Sequence, residues 1–417
     1  MRIAYLHQYF NTPEMVGSTR SYEFAKRLAS RGHTVRILTS ERDVKGHQRR
    51  RWRVEHRDGI EIHWMPVPYG NHMRYRSRIR AFLSFAWHAT WRTAGLPSEI
   101  VFATSTPLTI VIPGLVVSFL KRIPMVFEAR DLWPEVPIAL GVINSPGVIW
   151  AAKLLERIAY RGSTHIVALS PGMRDGVAEI GYPSSKITVI PNACDIKFFD
   201  DARPKGHLLR EQHPWLGDRP LVAYVGTLGF VNGVSHLVDI AAEMKRLDPE
   251  VRFVIVGDGA ERDDISSRAT AVNVLGSTLY MFDSVPKNEV PNWIGAADIT
   301  VSLIIDEPAL WHNSANKFFD SLAAGVPIAI NHLGWQAEML SESGAGLVIP
   351  AKDAAMGAAV LREHLRDGEW LHKASRSASY LARTEFDREV LAGTMELTLL
   401  NAIEEGRQRT RLTPVSS

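Results

Sequence analysis

A single cysteine, Cys194, stands among 417 residues, so no disulfide can close within the chain and a reducing compartment is expected. No apolar run approaches the roughly 20 residues that a spanning helix needs. The best candidate, residues 108–120, has the length of a core helix. The opening MRIAYLHQYF has no apolar segment followed by a small-residue cleavage site, so no signal peptide is expected. His, Asp, Glu and Cys nowhere gather at metal-ligand spacing, which argues against a metal centre. Low-complexity segments and short repeats are lacking as well.

What is present is an ordinary globular composition, 46% hydrophobic and 22% charged. The length exceeds what one core serves, so two domains are expected. Net charge is only +3 but uneven: residues 42–92 carry 12 Lys/Arg against four Asp/Glu. Within them, HMRYRSRIRAFLSFAWHATW (72–91) mixes Arg74, Arg76, Arg78 and Arg80 with Phe82, Leu83, Phe85, Trp87 and Trp91. Basic residues beside aromatic and aliphatic ones suit an anionic membrane surface, and residues 72–92 are read as that contact. The plainer alternative is a basic loop feeding a core helix. The patch is local and no nucleic-acid motif accompanies it, so nucleic acid is not expected as a partner.

The first half alternates strands (2–9, 34–39, 61–66, 100–104, 125–128, 165–169) with helices (18–31, 108–120, 148–161, 171–180). A short strand follows at 186–191, and the next 29 residues read as linker and loop. A second alternation has strands at 221–224, 252–256, 272–275, 299–303 and 327–331. Its helices fall at 235–245, 261–271, 290–296, 354–365 and 370–383. A long helix, 388–404, precedes a flexible tail from 405. This rhythm implies an α/β fold of two doubly wound parallel sheets. Expected boundaries are 1–195 and 196–385, with helix 386–404 packing back on the first domain. Ligands in such sheets bind at the carboxyl ends of strands, so two facing domains would leave a central cleft.

The stretch WHNSANKFFDSLAAGVP (311–327) is the most informative. A helix beginning near Ser314 would present free N–H groups at Ser314 and Asn316 and the positive end of its dipole. Lys317 adds a full charge, making an anion site. Asp320, two turns beyond His312, can accept two hydroxyl hydrogen bonds, as a ribose offers. A phosphate anchor beside a diol acceptor suggests a nucleotide; an ordinary amphipathic helix is the alternative. In the first half, Gly17 and Ser18 open a helix after strand one, where a missing side chain permits close approach of a diphosphate or acceptor. Glu128, Arg130 and Asp131 follow a buried strand and so lie at a carboxyl end. Arg130 could meet phosphate or carboxylate bidentately, and Asp131 could orient an acceptor hydroxyl; the two could equally pair with each other. Trp133 could stack on a sugar or simply pack.

Several segments resemble the retaining family-4 glycosyltransferases of the GT-B fold, two Rossmann-like domains across a cleft. They are HQYFNTPEMVGSTRSYEFAKRLASRGHTV, FEARDLWPEVP, IVALSPGMRDGV with ITVIPNACD, VAYVGTLGFVNGV, FVIVGDGAER and NSANKFFDSLAAGVPI, and the likeness runs from about residue 1 to 402. FEARDLWPEVP is similar to a signature of the bacterial O-antigen and capsule transferases. The nearest subgroup adds N-acetyl-L-fucosamine to a polyprenyl-diphosphate-linked sugar.

The resemblance implies transfer from a nucleotide diphosphate sugar, UDP by subgroup analogy, to a lipid-linked sugar or glycan. It implies no metal or other cofactor, and a cytoplasmic protein peripheral on the inner face of the cell membrane. It places the nucleotide in the second domain, at Gly226, Thr227, Asn232, Asp258, Ser314, Asn316, Lys317 and Asp320, with Gly17 and Ser18 facing them. Many relatives have two glutamates seven residues apart in the donor site. The second aligns with Asp320 and the first with His312, which could serve as a neutral donor to a sugar hydroxyl or be an exposed loop residue. The diphosphate-neutralising Arg and Lys of the family fall on Thr227 and Asn232, so Lys317 becomes the main phosphate anchor. Glu128, Arg130, Asp131 and His312 are the catalytic candidates, with same-face attack as the expected mechanism. A nucleotide-sugar 2-epimerase, or a catalytically silent GT-B binding subunit, is the alternative.

Overall fold

Strands buried on both faces read as continuous apolar runs, and IVFAT (β5) and MVFEA (β6) are buried at every position. In the computed structural model, residues 1–15, 17–42, 51–70, 73 and 75–412 are described, and the chain divides into two units. Unit 1 comprises Met1–Pro191 and Glu389–Ser417; unit 2 comprises Asn192–Arg388.

Unit 1 contains β1 (Arg2–Leu6), α1 (Arg20–Ser30), β2 (Thr34–Glu41), β3 (Arg53–Arg57), β4 (Ile60–Pro66), α2 (Tyr75–Ala94) and β5 (Ile100–Thr104). It continues with α3 (Val111–Lys121), β6 (Met125–Ala129), α4 (Glu135–Ala139), α5 (Pro146–Gly162), β7 (His165–Ala168), α6 (Pro171–Glu179) and β8 (Ile187–Val189). The sheet order is β3-β4-β2-β1-β5-β6-β7-β8, parallel except for the β3–β4 pair. The β3–β4 hairpin was not expected. It turns at Asp58-Gly59, both at positive φ, and its strand RVEHR has too little apolar content to signal a strand.

Unit 2 contains α7 (Ile196–Phe199), α8 (Ala202–Gln212), β9 (Leu221–Val225), α9 (Ser235–Leu247), β10 (Arg252–Val256), α10 (Arg262–Ala271), β11 (Leu279–Phe282), α11 (Val290–Ala296) and β12 (Ile299–Ser302). Then come α12 (Asn316–Ala323), β13 (Ile328–Ile330), α13 (Trp335–Ser343), β14 (Gly346–Val348), α14 (Ala354–Arg366) and α15 (Gly368–Thr384). Its sheet runs β11-β10-β9-β12-β13-β14, all parallel.

Three expectations need correction. The segment after β8 is not a loop, because α7 and α8 lie in it. Helix α8 packs so closely on α11 that a Cβ at Gly206 would sit 2.2 Å from the Ala296 nitrogen. The strand expected at 272–275 is a turn with one isolated bridge, and the sheet is extended by β11 instead. The last helix, α16 (Arg388–Leu412), runs well into the expected flexible tail, of which residues 413–417 lie outside the described ones. It is held along unit 1 by ion pairs of Glu389 with Arg27, Glu396 with Arg31, and Glu405 with Lys186, contacts between residues too distant in sequence for local pattern to show.

Right-handed crossovers decide which face each helix covers. Helices α2, α3 and α5 each step toward the β8 edge and share one face. Helix α1 steps the other way and lies opposite, where α16 pairs with it.

Candidate functional site

In unit 2 the loops after β9 and β10 lock together through glycine backbone. A Cβ at Gly257 (φ +155°) would lie 1.9 Å from the Gly226 carbonyl oxygen, and one at Gly259 2.3 Å from that of Leu228. Leu228 N–H donates to the Asp258 carbonyl at 2.9 Å, and Glu261 N–H to the Leu228 carbonyl at 3.0 Å. No side chain fits between these loops, so they form one rigid floor at the strands' carboxyl ends.

Lys317 rises against that floor. A Cβ at Gly226 would meet its Cε at 2.3 Å. Its Nζ donates to Asn232 Oδ1 at 3.0 Å and stands 4.9 Å from the centroid of the buried Tyr224 ring. Asn232 is itself fixed, donating through Nδ2 to the Thr227 carbonyl at 3.0 Å, and the Tyr224 hydroxyl donates to that carbonyl at 2.6 Å. Burial lowers the Lys317 pKa from 10.5 to about 8, with the Asp320 charge opposing. Asp320, three residues along α12 and so on the same helix face, has its pKa raised from 3.8 to about 6, also by burial. Among the described residues its carboxylate has no hydrogen-bond or ion-pair partner. A cation and an anion side by side, both desolvated and not bonded to each other, are arranged for something outside the protein. The first-turn N–H groups of α12 add to the cation, since no side chain caps that helix.

Two donor-site expectations change here. The helix starts at Asn316, two residues past Ser314. Ser314 is buried; its Oγ accepts from Asn192 N–H at 3.0 Å and its carbonyl from the Asn192 amide, so it fastens the start of unit 2. Asp258 is exposed and its carboxylate accepts from Gly259 N–H at 2.8 Å, which makes it a former of its own turn. Thr227 and Asn232 contribute to the floor, Thr227 with its side chain exposed. Asn316 is exposed at the helix start. His312 is half-buried in the loop before α12, and among the described residues its ring has no partner.

In unit 1 the ends of β1 and β6 meet the α1 loop. Arg130 Nη2 donates to Ser18 Oγ at 3.3 Å, its Nη1 lies 3.4 Å from His7 Nε2, and its N–H donates to Ser105 Oγ at 3.0 Å. Gly17 turns at φ +127°, and a Cβ there would meet the Asn11 amide at 2.7 Å. The structure thus joins Ser18 and Arg130, 112 residues apart. It adds His7, which sequence reasoning missed although HQYF was in view. Burial, then the neighbouring Arg130 and Arg42, hold the His7 pKa well below its usual value. The ring is neutral and its Nδ1 is buried without a partner. Asp131 is exposed beside Arg130. Trp133 packs on the unit 1 core, the plainer of its two readings.

Glu128 is a correction. Its Oε1 accepts from Arg20 Nε at 3.1 Å and Nη2 at 2.9 Å, its Oε2 from Thr104, and it is wholly buried. Arg20 also donates to the Ile190 carbonyl at 2.7 Å and to that of Pro191. The pair ties α1, β6 and the end of β8 together, so Glu128 is structural and not placed to attack a substrate. Only Arg20 in the STRSYEF helix start could have signalled the need for a buried counter-charge. Among the described residues no group of His, Cys, Asp and Glu could hold a metal ion.

Comparison with known proteins bears on the family and the fold. Residues 17–193 match the glycosyl transferase 4-like domain, and residues 207–380 match glycosyl transferases group 1. The chain is 23% identical over 243 residues to alpha-D-kanosaminyltransferase of Streptomyces kanamyceticus, covering 56% of this chain and 60% of that protein. It is 24% identical over 204 residues to the UDP-Gal:alpha-D-GlcNAc-diphosphoundecaprenol alpha-1,3-galactosyltransferase of Escherichia coli, covering 48% and 51%. The match to the first of these relatives spans about three fifths of that protein's length. The fold is similar to that of Anabaena Alr3699/HepE in complex with UDP and glucose, with a TM-score of 0.70 at 16% identity, covering 95% of this chain and 99% of that one. With both domain matches in order along the sequence and the two parallel sheets that the fold requires, the chain belongs to the two-domain glycosyltransferases of the GT-B fold.

Proposed function

We propose that this protein moves a sugar from a UDP-sugar to a polyprenyl-diphosphate-linked or glycan acceptor, with retention at the anomeric carbon, in the assembly of a bacterial surface polysaccharide. The observation that carries the reading is the Lys317–Asp320 pair on α12. A diphosphate beside Lys317 would return the charge balance that burial withholds, and a ribose diol would supply the two hydrogen bonds that Asp320 lacks. The UDP and glucose bound by the Anabaena protein, and the diphosphoundecaprenol acceptor in the name of the Escherichia coli relative, support the choice of donor and acceptor. Subgroup likeness points to an amino-deoxy sugar of the fucosamine kind.

As the sugar–phosphate bond breaks, charge builds on the leaving diphosphate. The Lys317 ammonium and the free N–H groups of α12 meet that charge without having to reorganise. Glu128 is held by Arg20 and Thr104, which speaks against a covalent route through it. Same-face attack, with a donor phosphate oxygen taking the acceptor proton, needs no carboxylate beneath the anomeric carbon. Arg130 and the unpartnered His7 Nδ1 would steady the acceptor end. No metal or other cofactor enters this scheme.

Among the described residues no helix is long and apolar enough to cross a membrane. Residues 72–92 would bring the protein to the inner face of the cell membrane as a peripheral enzyme. Arg74 lies outside the described residues, while Arg80 is exposed on α2.

The test is thermal stability against UDP, GDP, dTDP and ADP, with wild type and Lys317→Ala side by side. A nucleotide at 100 times its dissociation constant adds about 2.7 kcal/mol. A rise with UDP that the variant loses supports the site. No rise with any nucleotide refutes it. Transfer or hydrolysis of the donor by the purified protein then separates an enzyme from a silent binding subunit.

A further inference from the structure

The expected membrane contact was one segment, residues 72–92. The outer face of the helical layer it belongs to continues well beyond it. On α2, Ile79, Leu83, Trp87 and Trp91 follow one another every fourth residue, all exposed, with the Trp87 and Trp91 rings 5.7 Å apart. On α3, Val116, Phe119 and Leu120 are exposed, Phe119 by 83%. On α5, Trp150, Leu154 and Ile158 are exposed, Trp150 by 68%. A Cβ at Gly162 would lie 2.2 Å from Leu115 Cδ2, so the end of α5 lies against α3. The three helices stand side by side on one face of the sheet, and α16 covers the opposite one. Ten large apolar side chains therefore share one surface, far more than scattered exposure explains.

Charge says what that surface meets. Helices α2, α3 and α5 hold eight Lys or Arg and a single acid, Glu156, which is buried and bonded to the Tyr160 hydroxyl at 3.1 Å. Arg80, Lys153, Arg157 and Arg161 are exposed, as is Arg122 just past α3, and among the described residues none of the five has an ion-pair partner. On α5 the exposed large apolar and basic residues interleave as Trp150, Lys153, Leu154, Arg157, Ile158 and Arg161. Apolar side chains between unpaired cations, with no exposed acid on the three helices, match an interface of acyl chains beneath anionic headgroups.

We infer that α2, α3 and α5 together form one docking face for an anionic lipid bilayer, with Phe119 and Trp150 entering it alongside the α2 tryptophans. The inference deepens the peripheral-membrane part of the proposed function and rests on it only for its purpose. Binding itself is measured without any sugar donor. Co-sedimentation of the whole protein with vesicles of phosphatidylcholine, with and without about one third phosphatidylglycerol, tests it. Wild type should partition at least tenfold better onto the anionic vesicles. Phe119→Ser with Trp150→Ser should reduce that partition at least tenfold, while Lys153→Ser, Arg157→Ser and Arg161→Ser together should flatten its salt dependence.

Nucleotide-dependent thermal stability, read in the same samples, should stay at the wild-type value. That keeps the docking face and the donor site separately falsifiable, and it shows that the variants fold. Unchanged partition in the Phe119/Trp150 variant would overturn the three-helix face. So would a wild-type dimer in sedimentation equilibrium that those substitutions dissolve without altering vesicle binding.

Discussion

Replacing Lys317 by Met keeps the aliphatic stem under Gly226 and beside Tyr224 but removes the ammonium. A pKa lowered from 10.5 to about 8, at roughly 1.4 kcal/mol per pH unit, makes the charged form about 3 kcal/mol less favourable in the folded protein than in the unfolded chain. The hydrogen bond to Asn232 returns about 1 kcal/mol, and the cation over the Tyr224 ring about another 1. At pH 7 and without ligand, Lys317→Met should therefore be more stable than wild type, by about 1 kcal/mol. The pH dependence has a definite sign. The unfolded chain binds the extra proton between pH 8 and 10.5, so wild-type stability rises across that window, with the penalty complete below 8 and gone above 10.5. The variant lacks that rise.

With UDP the order reverses. A charge-assisted contact to phosphate is worth about 1.5–3 kcal/mol, so the variant should bind UDP roughly 10- to 150-fold more weakly. Wild-type affinity should be full below pH 8 and fall as the pH rises above it, because the free site must then take up a proton to bind. Urea unfolding from pH 6 to 10.5, with and without UDP, reads all of this. A variant less stable than wild type that keeps its UDP response would make Lys317 a structural residue and refute the reasoning.

Asp320→Asn should stabilise the ligand-free protein above pH 6, because a pKa raised from 3.8 to about 6 means that wild type loses about 3 kcal/mol as the pH rises through that window; unfolding free energies at pH 4 and pH 7 check this. The same change should weaken nucleotide binding, measured by calorimetry, and wild-type binding should itself decline below pH 6. Glu128→Gln leaves the Arg20 guanidinium buried without its counter-charge and should cost about 3–5 kcal/mol in urea unfolding; wild-type stability with lost transfer would instead restore Glu128 to the catalytic group. Gly226→Ala should displace Lys317 and lower UDP affinity at least tenfold, while Gly257→Ala, whose Cβ meets backbone, should reduce thermal stability sharply whether or not UDP is present.

Where helices and strands fall was largely readable, because local pattern sets them. IVFAT at β5 and VPNWIGA at α11 have the expected limits, and most other elements differ from expectation by one to three residues. Two of the failures have local causes too. RVEHR in β3 is polar enough to pass for loop, and ARPKGHLLREQ in α8 hides its buried Ala202, Gly206 and Leu209 among charges. Helix α16 outlasts its expected end because its last turns are held by Lys186 and Glu99, which no local window contains.

The sequence by itself determined two doubly wound sheets, the family likeness, and the placing of Lys317 and Asp320 three apart on one helix face. Those follow from periodicity and from residue types that only certain chemistry requires. Only the tertiary structure decided which charges are already spoken for. Glu128 and Asp320 are both carboxylates in motif positions, yet Glu128 meets Arg20 from 108 residues away and is satisfied, whereas Asp320 has no partner among the described residues. Desolvation and long-range pairing are properties of the packed chain, and they separate a structural charge from one held ready for a ligand.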